Sequence, residues 1–258
     1  MLVAITRTPS ASLPQCELSF LERQPIDVER ARAQHREYER ALDEAGATVV
    51  TLPALDALAD ACFVEDTAIV LDELAVVAPM GAVSRQPETA AIVDALSAYR
   101  PLERLLPPAT LDGGDVLRLG RTLYVGETPR TNLAAIEQLR ALLAPHGYRV
   151  IGVPVSKCLH LKSGCAELDA DTALINPEWV SPSVFVGASV ICCAPDEPWG
   201  ANAVRVGDRV IMPASAPRTR ALVQSAGFNT VTVDVSELQK AESGVTCLSL
   251  LVEGRFDR

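Results

Sequence analysis

Three segments of the sequence carry side chains that could act together on an electrophilic carbon. Cys247 lies close to the C-terminus, His160 lies in the segment Leu159–Ser163, and Asp112 lies in the segment Leu111–Asp115. A thiol, an imidazole and a carboxylate supply a nucleophile, a proton carrier and a group that orients the proton carrier. We therefore interpret Cys247 and His160, together with a carboxylate of the segment 111–115, as a candidate catalytic set.

Cys247 is the strongest candidate for the nucleophile among seven cysteines. It lies in the strand-like run 245–249, directly after a turn signal at 242–244, which would hold the thiol rigidly. Because the cysteines are scattered and form no CxxC pair, we expect no disulfide framework, no metal site and a location in a reducing cytoplasm. We interpret the others as small buried hydrophobic residues: Cys16, Cys62, Cys158, Cys165, Cys192 and Cys193.

His160 is the histidine whose surroundings favour catalysis. His35 falls on a highly charged predicted helix, and His146 follows another predicted helix, where a positive charge complements the helix dipole. His160 lies between Leu159 and Leu161 and could be an ordinary core residue. Its combination with a thiol and with carboxylates favours a role in proton transfer.

Carboxylates form the third part of the pattern and indicate a cationic substrate. Any one of them could serve a turn, as the sequence Asp112-Gly113-Gly114 suggests. Carboxylates around a thiol raise its pKa, whereas a bound guanidinium group would neutralise them and favour the thiolate. Those that lie near predicted strand starts are Asp60, Glu65, Asp66, Asp112 and Asp115.

A sequence repeat describes the elements that must position these side chains. The segments 120–155 and 207–235 share one order: a strand, a Pro-Arg-Thr motif, a helix, a Gly-aromatic pair and a second strand. We predict helices near 132–144 and 219–226, each capped by the threonine of its Pro-Arg-Thr motif.

Weaker copies of the repeat extend over most of the chain. Predicted strand starts near Asp66, Asp115, Ser163, Asn202 and Cys247 recur at a spacing of roughly 45 residues, which indicates a repeat architecture. Five such units cannot each bury an apolar face alone, so we expect them to close around an axis. The candidate residues near these strand starts would then converge on one central site.

The predicted helix at 27–45 is the segment that could at first suggest nucleic-acid binding. Asp27 is a plausible N-cap, and Gly46 ends the pattern. Acidic residues interleave with the basic ones, so a solvated helix is the better interpretation.

The composition is that of an ordinary globular protein. The 258 residues are 48% hydrophobic and 22% charged, and no low-complexity linker divides them, so we expect one domain over residues 1–258. The formal net charge of −10 argues against a nucleic-acid partner and favours a small cationic molecule. The sequence contains no signal-peptide pattern and no apolar run of membrane-spanning length, so we expect no membrane partner.

Six segments resemble the dimethylarginine dimethylaminohydrolase family, part of a guanidine-modifying superfamily that also contains arginine deiminases and amidinotransferases. The segments occur in matching order: 62–70, 111–117, 130–132, 159–163, 201–202 and 246–249. The resemblance implies an α/β fold, a five-bladed α/β propeller of ββαβ repeats with pseudo-fivefold symmetry and a central active site. It also implies hydrolysis of Nω,Nω-dimethyl-L-arginine and Nω-methyl-L-arginine to L-citrulline and dimethylamine or methylamine, without a metal or other cofactor.

The resemblance also implies a role for each candidate residue. Cys247 would be the nucleophile, His160 the general acid and base, and Asp112 the residue that orients His160. The implied substrate-binding residues are Asp60, Glu65 and Asp66 for the guanidinium group, Arg85 and Arg130 for the carboxylate, and the backbone of Leu18 and Ala241 for the α-amino group.

The sequence departs from the family near residues 10–20, which only loosely resemble its lid, and at Ala241, where a larger residue is common. An arginine deiminase would need the same catalytic set, but such enzymes, like amidinotransferases, carry insertions for which 258 residues leave no room. A non-catalytic binder of cationic amino acids would use the carboxylates and arginines without needing both Cys247 and His160. We expect a monomer or a homodimer.

Overall fold

The structure, a computed structural model, describes residues 1–254, which contain fifteen strands and five α-helices. The helices are α1 (Val28–Glu44), α2 (Glu88–Ser97), α3 (Leu133–Leu143), α4 (Pro217–Ser225) and α5 (Ser236–Gln239). The strands are β1 (Leu2–Arg7), β2 (Thr48–Leu52), β3 (Ala68–Val70), β4 (Ala75–Val77), β5 (Leu102–Arg104), β6 (Val116–Leu119), β7 (Thr122–Glu127), β8 (Arg149–Pro154), β9 (Cys165–Asp169), β10 (Thr172–Ile175), β11 (Ser189–Cys192), β12 (Val204–Val206), β13 (Arg209–Pro213), β14 (Asn229–Val233) and β15 (Leu250–Glu253).

The strands form five sheets of three strands each, and every sheet follows the same plan. The sheets, which we call blades I to V, are β3-β4-β5, β6-β7-β8, β9-β10-β11, β12-β13-β14 and β15-β1-β2. In each blade the first two strands pair antiparallel and the last two pair parallel. Parallel neighbours need a long crossover connection, which explains why a helix precedes the third strand in most blades.

Four blades have the predicted ββαβ order, with α2, α3, α4 and α1 as their crossover helices. Blade III differs, because its crossover contains the 3₁₀ turn Pro182–Val184 in place of an α-helix. Pro177 and Pro182 restrict the backbone there, and proline disfavours the interior of a helix. The five similar sheets confirm the predicted α/β propeller.

The two ends of the described chain close the ring. β15 pairs antiparallel with β1, with Leu2 opposite Glu253, so blade V combines the N-terminal and C-terminal strands. The buried apolar residues form five clusters, each between two neighbouring blades. We call the first strand of each blade its inner strand. On the inner strand β6, two neighbouring residues belong to different clusters: Val116 packs between blades I and II, and Leu117 packs between blades II and III.

Each inner strand is preceded by a 3₁₀ turn, and these turns carry the residues that were predicted to converge. The turns are Val64–Thr67, Gly113–Asp115, Leu161–Ser163, Pro198–Ala201 and Thr246–Leu248. The prediction of a strand around Cys247 is wrong, because Cys247 lies in the last of these turns and β15 begins at Leu250. The Thr246 N–H group donates a hydrogen bond to the side-chain oxygen of Asn202, 44 residues away in the chain, rather than to a strand partner.

The helix positions agree with the predictions, but two of the predicted caps are wrong. Asp27 caps α1 by accepting a hydrogen bond from Arg30 N, as predicted. α3 is capped by Asn132, whereas the Thr131 hydroxyl donates a hydrogen bond to Asp115. At α4 the carboxylate of Glu197 accepts the amide protons of Arg218 and Thr219.

None of the helices within residues 1–254 is long and apolar enough to cross a membrane. The prediction of one domain over residues 1–258 stays a prediction, and residues 255–258 lie outside the described part of the chain.

Candidate active site

A narrow cavity of about 20 Å³ lies at one end of the propeller axis. The cavity is lined by Asp66 and Cys247 from two of the 3₁₀ turns, by His160, which precedes a third, and by residues around positions 17, 85 and 241. Of the predicted site residues, those that line this cavity are Asp60, Asp66, Arg85, Arg130, His160, Ala241 and Cys247. The structure therefore brings together residues that lie far apart in the sequence.

The Cys247 thiol is held in its turn and is protonated at neutral pH. Gly244 N lies 3.4 Å from the sulfur and donates a hydrogen bond to it. Burial, followed by the negative charges of Glu65 and Asp66, raises the pKa of the Cys247 thiol to about 12. This direction agrees with the sequence-based expectation for a thiol that is surrounded by carboxylates.

His160 has a carboxylate near each of its ring nitrogens. Nε2 lies 3.2 Å from Asp112 Oδ2, and Nδ1 lies 3.6 Å from Asp66 Oδ1. Burial alone would lower the pKa of this imidazole, but the carboxylates of Asp66, Asp115 and Asp112 raise it to about 9. A protonated imidazole has two N–H donors, so this environment keeps His160 as an imidazolium that can donate a proton.

Asp112 is fully buried and is fixed on both oxygens. Its Oδ1 accepts a hydrogen bond from Gly81 N at 2.9 Å, and its Oδ2 faces Arg130 Nη1 at 3.4 Å as well as His160 Nε2. The geometry is suited to holding the His160 ring in one orientation. Arg130 is thereby connected to Asp112 and also borders the cavity.

Asp115 has a supporting position that the sequence did not reveal. Its Oδ2 accepts hydrogen bonds from the hydroxyls of Thr128 and Thr131, and its Oδ1 accepts one from Leu161 N. Leu161 directly follows His160, so this buried carboxylate fixes the backbone beside the imidazole. Burial raises the pKa of Asp115 to about 6.

Asp66 and Arg85 form a buried ion pair at the wall of the cavity. Arg85 Nη1 donates to Asp66 Oδ2 at 2.6 Å, and the other Asp66 oxygen accepts from Gly114 N. Arg85 also pairs with Glu88, a partner that was not predicted from the sequence. The role of Arg85 toward a substrate carboxylate stays a prediction.

Glu65 lies on the other side of the turn Thr246–Leu248, which carries Cys247. Its carboxylate accepts a hydrogen bond from Lys162 Nζ, and both residues line a larger cavity of about 340 Å³ along the inner strands. Thr246 lines this larger cavity, whereas the adjacent Cys247 lines the narrow one. Glu65 therefore acts on the thiol through its charge, and its contact with a substrate stays a prediction.

Asn202 connects the two turns that carry the nucleophile and the imidazole. Its Nδ2 donates to Lys162 O at 2.9 Å and to Thr246 Oγ1 at 3.0 Å, and its Oδ1 accepts from Thr246 N at 3.2 Å. The Ala201-Asn202 segment was part of the sequence resemblance, but no role was predicted for it. Only the folded chain shows that one amide group joins these turns.

The loop of residues 16–24, which we call the lid loop, contributes Glu17 to the cavity wall. Leu18 is partly buried and packs against the core between blades IV and V, and Ala241 is buried. Glu17 N donates to Asp60 Oδ2 at 3.1 Å, so a predicted substrate-binding carboxylate also holds the lid loop. Among residues 1–254, no group of three or more His, Cys, Asp or Glu side chains is arranged to hold a metal ion.

Comparisons with known proteins agree with this fold. The family model described as N,N dimethylarginine dimethylhydrolase, eukaryotic, matches residues 13–181. The dimethylarginine dimethylaminohydrolase of Streptomyces coelicolor is 38% identical over 257 residues, covering 98% of each chain. That of Pseudomonas aeruginosa is 36% identical over 248 residues, covering 95% of this chain and 97% of the relative.

The structural comparison gives the same answer. A solved structure of a cysteine-to-serine variant of the Pseudomonas aeruginosa enzyme, in complex with citrulline, matches with a TM-score of 0.92 and 35% identity. The match covers 96% of this chain and 98% of that one. On the full-length similarity of sequence and fold, the chain belongs to the dimethylarginine dimethylaminohydrolase family.

Proposed function

We propose that this protein hydrolyses Nω,Nω-dimethyl-L-arginine and Nω-methyl-L-arginine to L-citrulline and dimethylamine or methylamine. The observation that carries the proposal is the meeting of a thiol, an imidazolium and several carboxylates in one cavity, on the fold of this family. The cysteine-to-serine variant of the relative is described as a complex with citrulline, the product that this reaction forms.

The first half of the reaction uses the charges around Cys247. Binding of a guanidinium cation neutralises the carboxylates that raise the thiol pKa, so the thiol loses its proton to solvent and becomes a thiolate. The thiolate attacks the guanidinium carbon and forms a C–S bond. The C–N bond to the methylated nitrogen breaks, and His160 protonates the amine as it leaves.

The second half releases the product from a covalent thiouronium intermediate. His160, now neutral, removes a proton from a water molecule that attacks the same carbon, and the C–S bond breaks. The water oxygen becomes the ureido oxygen of citrulline, and the second water proton passes to the Cys247 thiolate, so that the thiol and the imidazolium of the free protein are restored. Asp112 keeps the imidazole oriented in both halves, because its position is fixed by Gly81 N.

The other binding roles complete the proposal. Asp60, Asp66 and Glu65 supply negative charge for the guanidinium group, and Arg85 and Arg130 supply positive charge for the carboxylate. The carbonyl groups of Leu18 and Ala241 accept from the α-ammonium group. A cytoplasmic location and assembly as a monomer or homodimer stay predictions.

A citrulline assay with a panel of substrates tests the proposal. We expect the asymmetric dimethyl and monomethyl forms of arginine to yield citrulline much faster than arginine does. The Cys247→Ser variant should lose activity, and Cys192→Ser, which changes an exposed cysteine outside the cavity, should keep it.

Two results, one from this assay and one from calorimetry, would contradict the proposal. Preferred turnover of unmethylated arginine would indicate an arginine deiminase. Calorimetric binding of methylated arginine without any citrulline would indicate a non-catalytic binder of cationic amino acids.

A further inference from the structure

The cavity above Cys247 has Glu17 of the lid loop in its wall. Its volume of about 20 Å³ holds about one water molecule, whereas cavities that bind small organic ligands measure roughly 300–1,000 Å³. An amino acid therefore does not fit above the thiol unless part of the wall moves, and the lid loop is a wall segment without a helix or strand. The contacts that hold this loop in place decide how easily it moves.

Glu242 holds the centre of the lid loop. Its Oε1 atom accepts hydrogen bonds from three successive amides, Ser19 N, Phe20 N and Leu21 N, at 2.5 to 2.9 Å. Hydrogen bonds to an ionised carboxylate are stronger than those between neutral groups. One side chain thus fixes three backbone groups of a segment that has no helix or strand of its own.

The position of Glu242 connects the lid loop with the nucleophile. Glu242 follows Ala241 directly, and its carboxylate holds Ser19, which follows Leu18, so it joins both walls of the proposed α-amino site. Two residues later, Gly244 N donates to the Cys247 sulfur. Closure of the loop and placement of the thiol therefore depend on one short segment.

Two further features of Glu242 indicate a functional rather than a purely structural role. Its backbone has φ = 56°, in the left-handed region that residues other than glycine rarely adopt, and such strain clusters at functional sites. Its Oε2 atom is buried and has no hydrogen-bond partner within residues 1–254. Glu242 also lines the cavity, so this oxygen adds uncompensated negative charge beside the proposed α-amino site.

We propose that Glu242 is a positioning residue that latches the lid loop over the bound substrate and adds negative charge at the α-ammonium end. The inference rests on the proposed function for the identity of the substrate. Opening the loop breaks the three hydrogen bonds to Glu242, and closing it re-forms them. Loss of the carboxylate weakens the closed complex and leaves Cys247 and His160 in place.

The test uses three substitutions in the full-length protein. Glu242→Ala removes the carboxylate, Glu242→Gln keeps an acceptor but removes the charge, and Glu242→Gly removes the carboxylate while easing the left-handed backbone. The matched control is Glu197→Ala, because Glu197 also accepts two backbone amide protons but lies at the start of α4.

Two measurements are made on each variant. The first is the rate of chymotrypsin cleavage after Phe20 or Leu21, without substrate, and we expect Glu242→Ala and Glu242→Gly to be cut about tenfold faster than the wild type. The second is citrulline formation from asymmetric dimethylarginine, where we expect KM to rise about tenfold and kcat to change by less than about threefold. Glu242→Gln should fall between them and the wild type, and Glu197→Ala should match the wild type in both.

The outcomes separate this inference from the proposed function. Wild-type cleavage rates and KM values in both Glu242→Ala and Glu242→Gly would overturn the latch. A fall in kcat at unchanged KM would also overturn it, because Glu242 would then act on the chemistry. If the wild type makes no citrulline but Glu242→Ala still exposes the loop to protease, the proposed function fails and the latch stands.

Discussion

At the scale of single residues, the site combines a thiol that resists ionisation with an imidazole that resists losing its proton. The same carboxylates cause both effects, because negative charge raises the pKa of the Cys247 thiol and that of the His160 imidazole. In the free protein the two groups therefore carry two protons more than a thiolate with a neutral imidazole would. A cationic substrate is what shifts this balance toward the thiolate.

Because the pKa of His160 is raised, the free energy of unfolding should fall as the pH becomes alkaline. The folded-state pKa of about 9 lies above the unfolded value of about 6.5, so the protonated imidazole stabilises the fold fully below pH 6.5. This contribution, about 3 kcal/mol, is lost as the pH rises through 9. The difference in the free energy of unfolding between wild type and His160→Asn should therefore shrink by about that amount between pH 6 and pH 10, measured in urea titrations.

A difference that stays constant between pH 6 and pH 10 would mean that His160 is not held as an imidazolium. In that case the role of His160 as the proton donor to the leaving amine would lose its support.

The sequence predicted residue types better than residue partners. Cys247, His160 and Asp112 were identified by their types and surrounding segments, and the structure brings them together. The pairing of Arg85 with Glu88 and the three bonds of Asn202 could not be predicted, because they depend on how distant turns approach one another.

At the scale of elements, the 3₁₀ turns at the starts of the inner strands place the chemistry. The turn Gly113–Asp115 packs so closely on its neighbours that a Cβ atom on Gly114 would lie 2.5 Å from Asp66 Oδ1 and 2.8 Å from His160 Nδ1. Both neighbours are buried and hydrogen-bonded, so neither can move away cheaply.

We therefore expect Gly114→Ala to displace the imidazole. The change should lower the stability by about 1–3 kcal/mol, the usual cost of overpacking, and should reduce kcat for citrulline formation more than tenfold. The control is Gly152→Ala, whose Cβ would meet Glu127 Oε1 at 2.6 Å, the tip of an exposed side chain that can swing away. Equal losses in both variants would mean that Gly114 matters only for general packing.

The Asn202 amide gives a second test at this scale. Asn202→Ala should loosen the turns that carry Cys247 and His160, and we expect kcat to fall at least about tenfold while most of the fold is kept. The control is Asn132→Ala, since Asn132 also makes three hydrogen bonds, to Thr110 N, Ala135 N and Pro108 O, but caps α3 away from the cavity. That control should lower the stability by about 1 kcal/mol and leave kcat unchanged, and the reverse pattern would contradict the role of Asn202.

Helix positions were more predictable than their ends. The apolar pattern and the glycines located α1, α3 and α4, but the threonines of the two Pro-Arg-Thr motifs do not cap their helices. Thr131 is drawn to the buried carboxylate of Asp115, and the first amides of α4 are satisfied by Glu197 from the connection between β11 and β12. These competing partners lie 16 to 22 residues away in the chain, beyond any local capping pattern.

At the scale of the whole molecule, the repeat was visible because each blade needs the same order of strands and crossover. The spacing of roughly 45 residues was enough to predict five units around an axis. It did not reveal that β1 and β15 share a blade, since that pairing joins the two ends of the described chain. Nor did it reveal the missing helix of blade III, where the repeat is weakest.

The ring explains why function depends on the complete set of blades. The apolar clusters lie between neighbouring blades, so removing one blade would expose two clusters and open the axis. His160 and Cys247 belong to turns at the starts of blades III and V, and Asn202 of blade IV joins them. The site is thus a property of the closed ring rather than of any single repeat.

The central claim is that Cys247 attacks the guanidinium carbon of methylated arginine. Its most direct test is mass spectrometry of the Cys247 peptide after acid quenching during turnover of asymmetric dimethylarginine, together with citrulline formation by Cys247→Ser. The account predicts a covalent adduct on Cys247 in the wild type and a loss of citrulline formation on the order of 10³-fold or more in the variant. An adduct on another cysteine, or wild-type citrulline formation by Cys247→Ser, would contradict it.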